Sequence, residues 1–124
     1  MIALTLVALL QFGSCQASPD RSRTPEEAAD LFMRGIEERE PRVLQWVVRR
    51  DALFEVDGQT YSDAEFYDLL ETDTSIRKNL VILSITSTPA TVAVTTVYSG
   101  APEARTLTVM NFSDGCITAV AVHH

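Results

Sequence analysis

The chain predicts an α+β domain, with helices from its first half covering one face of an antiparallel sheet from its second half. Three observations carry this prediction. Two helix-capping sequences, Thr24-Pro25-Glu26-Glu27 and Ser62-Asp63-Ala64-Glu65, each precede an apolar run. Asp57-Gly58, a dipeptide favoured in tight hairpins, lies between them. From Ile76 onward, β-rich runs alternate with short turn-forming segments.

Thr24 suits an N-cap, Pro25 the first helical position, and Glu27 closes the capping box. Ala28, Leu31, Phe32, Gly35 and Ile36 then recur at helical spacing, so helix one runs to about Arg39. Pro41 breaks it and opens a shorter helix two, in which Val43, Leu44, Val47 and Val48 share a face. Ala52 to Val56 reads as a strand that turns through Asp57-Gly58 into the short return strand Gln59-Thr60-Tyr61. Helix three follows and buries a combination of Phe66, Tyr67, Leu69 and Leu70. Four β-rich runs complete the domain, roughly 77–87, 91–98, 104–112 and 116–122. Their short connections imply antiparallel pairing.

The 124 residues suffice for one domain, and an apolar fraction of 46% is enough for a packed core. A net charge of −7 repels phosphate backbones and anionic headgroups, so neither nucleic acid nor a lipid surface is expected as a partner. The pairs Arg49-Arg50 and Arg77-Lys78 form no basic run. Residues 1–12 are almost entirely apolar but too short to cross a hydrocarbon core of about 30 Å. Small and polar residues follow up to Pro19, the order of an export signal, although no Lys or Arg precedes the apolar run. The expected organisation is therefore a signal peptide at 1–17, a tether at 18–23 and one domain at 24–124, exported to the periplasm or the extracellular space. Two processing readings stand side by side: simple cleavage after Ala17, or a lipobox-like Phe12-Gly13-Ser14-Cys15 with Cys15 lipidated as a membrane anchor. Either removes the intrachain partner of Cys116, so no disulfide is expected and Cys116 reads as a small core or strand residue.

The order of these segments resembles the NTF2-like superfamily, most of all its SnoaL-like and DUF4440 groups. The likeness rests on Thr24-Pro25-Glu26-Glu27, Pro41-Arg42-Val43-Leu44, Asp51-Ala52-Leu53-Phe54, the stretch from Asp57-Gly58 to Phe66, and Asp114-Gly115-Cys116-Ile117. It spans about residues 24–122. The resemblance implies a cone, in which a curved antiparallel sheet wraps three helices around a pocket, with a short hairpin between helices two and three. Relatives include isomerases, dehydratases, polyketide cyclases and domains without catalysis, so the fold alone does not assign a function.

Proton abstraction beside a carbonyl needs a carboxylate base in an apolar pocket and a donor for the oxyanion. The resemblance to ketosteroid isomerases places the base at Val56 and the oxyanion tyrosine at Phe32, and neither side chain carries a proton. The dehydratase branch implies a pocket histidine. The histidines of this chain, His123 and His124, read as a frayed end or the remnant of a tag. No catalytic residue, cofactor or metal site is therefore expected. The expected function is an exported, non-catalytic domain binding a small apolar ligand or a protein partner. An enzyme with unconventional pocket residues and a pure dimerisation module are the alternatives.

The candidate pocket residues are Phe32, Trp46, Phe54, Tyr67, Tyr98 and Asn111. Asn111 shares a strand face with Leu107 and Val109, and needs a partner if that face lines the cone. Glu55 alternates out of phase with Phe54 and Val56 and reads as solvent-facing or interfacial. The threonine-rich strands suggest a wet outer face, and Val97, Met110, Val120 and Val122 interspersed there suggest a homodimer across the sheet. A ligand cavity is expected to reach about 300 Å³.

Overall fold

The computed structural model describes Cys15 and residues 24–72, 79–113 and 115–124. The expected export signal and tether, and the start of the first β-rich run at 77–78, lie outside the described residues. Helix α1 spans Pro25–Glu38 and α2 Pro41–Gln45, followed by the hairpin β1 Val48–Val56 and β2 Gln59–Tyr61. Helix α3 covers Asp63–Thr72, and β3 Leu80–Ser87, β4 Thr91–Tyr98, β5 Ala101–Ser113 and β6 Cys116–His123 complete the chain. One six-stranded sheet results, in the order β2-β1-β6-β5-β4-β3.

The sheet is mixed, where an all-antiparallel one was expected. β1 pairs with β6 in parallel, Phe54 opposite Val120 and Val56 opposite Val122, and every other pair is antiparallel. The reason is topological: the last strand of the meander inserts beside the first strand of the hairpin, running in the same direction. β1 also begins earlier than expected, at Val48. Helix α2 ends at Gln45, so Val47 and Val48 are buried by the chain's turn into the sheet and not on a helical face.

Local chemistry fixes the helices. The Thr24 N–H donates to Glu27 Oε1 at 2.9 Å, and the Glu27 N–H donates back to Thr24 Oγ1 at 3.1 Å. Ser62 and Glu65 repeat this box at α3, at 2.8 and 3.1 Å. Two carboxylates of α1 also strap it to the edge strand. Glu37 Oε2 accepts from the Leu80 N–H, and Glu26 Oε1 accepts from the Ser87 hydroxyl, each at 2.7 Å. Where α1 gives way to α2, Gly35 lies against Leu44: a Cβ there would sit 2.6 Å from Leu44 Cδ2, so this close packing leaves room only for hydrogen.

The core lies between the helices and one sheet face. Phe32, Leu44, Phe54, Val92, Val94, Met110, Ile117 and Val120 are buried there. Phe54 stacks on Phe66 with ring centroids 4.3 Å apart, and Tyr67 meets Phe54 edge-on at 6.0 Å. Met110 and Val120, expected on the outer face, are part of this core. Alternation sends the even-numbered residues of β4 and β5 inward; in β6 a register shift at Thr118 puts Ile117 before it and Val120 and Val122 after it on the inner side, and a one-residue difference in phase is enough to reverse the face.

A disulfide joins Cys15 to Cys116, with Cα atoms 5.6 Å apart, contrary to the expectation of none. That expectation rested on Cys15 being lost or modified during processing. In the folded chain Cys116 is buried at the start of β6 beside the positive-φ Gly115, and Cys15 is seated against it.

Candidate functional site

A cavity of about 190 Å³ opens between the helices and the inner sheet face. From the helices come Phe32, Met33 and Ile36 of α1 and Phe66, Leu69 and Leu70 of α3. The sheet supplies Val56, Leu80 and Val122, together with the polar groups Thr96, Tyr98, Thr106 and Thr108. His124 completes the lining. The threonines arrive there by register: Thr96 lies opposite Thr106 across β4 and β5, and Thr108 follows two residues on along the same face. Thr96 and Thr108 are both 2% exposed, so these inward hydroxyls are not part of the wet outer face that the threonine content suggests.

His124 corrects the reading of the terminal histidines as a frayed end. The inner side of β6 carries Val120 and Val122, His124 continues this spacing just past the strand, and the β1–β2 turn holds the strand end in place. The Asp57 N–H donates to the Val122 carbonyl at 2.9 Å. The His124 backbone N–H donates to Asp57 Oδ1 at 2.9 Å, while His124 Nδ1 lies 2.6 Å from Asp57 Oδ2. Asp57 adopts a positive φ of 49° ahead of Gly58, which aims its carboxylate along the strand end. The His124 backbone N–H and then its ring hold the Asp57 carboxyl below its ordinary 3.8. His123 pairs with Leu107 within the sheet. Counting the inward parity from Val120 to His124 was the sequence signal that would have found this residue.

Of the candidate pocket residues, Phe32 and Tyr98 line the cavity. Phe54 and Tyr67 are core residues beneath it, outside its lining. Trp46 is 42% exposed just beyond α2 and does not reach it. Asn111 points to the opposite side of the sheet, where Leu53, Glu55, Val109, Ala119 and Ala121 form with it a second, open depression of about 260 Å³. Its side chain there lies 3.4 Å from the Thr91 hydroxyl. The outer depression has the larger volume, but the inner cavity is the better site: helices roof it, and apolar side chains dominate its walls.

Among the described residues the lining holds no carboxylate side chain, and Val56 and Phe32 stand in it where the isomerase-like resemblance implies a base and a phenol. Among the described residues, no group of three His, Cys, Asp or Glu side chains is placed to hold a metal. What the arrangement offers is an apolar volume, a band of hydroxyls and one oriented imidazole.

No protein-family model and no curated protein matches the sequence. Solved structures do match in shape. An NTF2-like protein of unknown function from Burkholderia xenovorans superposes with a TM-score of 0.67 at 15% identity, over 78% of this chain and 79% of that one. IdmH from Streptomyces antibioticus, named as a candidate polyketide cyclase, gives 0.68 at 13% identity over 81% and 91%. A protein with a ketosteroid isomerase-like fold from Catenulispora acidiphila, solved with trimethylamine, gives 0.65 at 17% over 82% and 87%. These likenesses, each over more than three quarters of both chains, show the fold: the chain has the NTF2-like α+β fold.

Proposed function

We propose that this chain is an exported, non-catalytic domain whose cone binds one small, largely apolar molecule. The observation that carries the reading is the cavity: about 190 Å³, walled mainly by Phe, Leu, Ile, Val and Met side chains, with no carboxylate side chain among its described lining residues. That is below the expected 300 Å³, so the occupant is smaller than a steroid or polyketide. Buried apolar cavities of about 150 Å³ already take up benzene. The apolar run ahead of Gly13 supports export, and so does a disulfide, which persists in oxidising compartments; with Cys15 in that bond, any signal cleavage falls ahead of it. The test is a titration of the isotope-labelled protein with toluene, followed by amide NMR. Saturable shifts centred on Phe32, Leu70 and Tyr98 are expected, and their absence up to the solubility limit of toluene overturns the reading.

A second reading, self-association, is favoured by the outer sheet face. Leu53 and Leu107 are 62% and 39% exposed there, flanking small residues at Ala119 and Ala121. The partner we propose for that face is a second copy of the chain.

A further inference from the structure

We propose that His124, oriented by Asp57, recognises a hydroxyl group on the molecule in the cone, so that the ligand class is a small apolar alcohol or phenol. This rests on the ligand-binding reading above. An ionised carboxylate only accepts hydrogen bonds. The 2.6 Å contact between Asp57 Oδ2 and His124 Nδ1 therefore puts the proton of the neutral ring on Nδ1. Nε2 is left with a lone pair, and the group it recognises is a donor.

The ring is not free to swing away from this role. The other oxygen of the same carboxylate takes His124's own backbone N–H at 2.9 Å, and Asp57 is tied in turn to the Val122 carbonyl. One side chain thus fixes both the main chain and the ring of His124. His124 belongs to the cavity lining while its side chain remains 60% exposed, which places it at the mouth. The ligand's apolar body lies against Phe32 and Leu70. Its hydroxyl faces the rim, and an acceptor-only group such as an ether or ketone finds no donor at Nε2 of the neutral ring.

The experiment compares p-cresol with toluene, two probes differing by one hydroxyl, on the folded chain and on His124→Phe and Asp57→Asn. Phenylalanine keeps the ring without its nitrogens, and asparagine tolerates the positive φ at position 57. The ratio of p-cresol to toluene affinity is expected to fall about fivefold in His124→Phe and by a smaller factor in Asp57→Asn, with toluene affinity nearly unchanged. On the unaltered protein, the His124 ring ¹⁵N resonances are expected to move with p-cresol and not with toluene. That measurement stands even if a variant fails to fold. If toluene binds but the ratio and the ring resonances do not respond, the assignment of His124 is overturned and ligand binding survives. If neither probe binds, both readings fail together.

Discussion

Exposed carboxylates do much of the positioning in this protein. Glu65 caps α3 and helps place Phe66, Leu69 and Leu70 over the cavity. Its hydrogen bond from the Ser62 backbone N–H, then that with the Ser62 side chain, holds its carboxyl below the ordinary 4.5. A carboxyl depressed in the folded state contributes stability that is complete above its unfolded value and is lost as pH falls through the folded one. Glutamine keeps the capping geometry but not the charge. Glu65→Gln is thus expected to melt below the parent at neutral pH. The gap closes as the pH drops below the 4.5 of a free glutamate, and thermal melts across that range check it. Both capping boxes were legible in the sequence because their bonds span only three residues. The Asp57–His124 contact was not, because its partners are 67 residues apart and meet only once β6 lies beside β1.

Among the elements, caps, turns and strand runs are found close to where the residues place them, since each is set by local backbone chemistry. The faces of the strands were harder to read. Met110, Val120 and Val122 were expected to look outward, yet the first two are core and the third lines the cavity. Apolar and polar residues mix on both sides of β4 to β6, so the sequence does not declare which parity is buried. The true outer face carries Leu53, Val109 and Asn111. If a second copy covers it, light scattering gives the mass of a dimer, and Leu53→Lys, which sets a charge in the middle of that contact, returns the monomer mass. A parent protein that is monomeric at high concentration rules this pairing out.

For the whole molecule, the α+β layering follows from the order of helices and strands, whereas the parallel β1–β6 pair and the disulfide are long-range facts with no local signature. Cys15 also bears on the processing readings: a Cys15–Cys116 bond and a lipid on the Cys15 sulfur exclude one another. A crosslink of 101 residues' separation removes much of the unfolded chain's freedom, by about 2–4 kcal/mol. Replacing both cysteines by serine is expected to lower the unfolding free energy by an amount of that order, measured by denaturant titration against the oxidised parent.

The same bond makes the domain a ring. Among the described residues, every helix and every strand from β1 to β5 lies between residues 15 and 116 of one covalent loop, with β6 leaving from the closure point. A protease that cuts once at an exposed turn, such as Ser99-Gly100, opens that ring without dividing the molecule. The two fragments part only after reduction. A singly nicked chain therefore keeps both halves of its sheet and the roof of its cavity at hand.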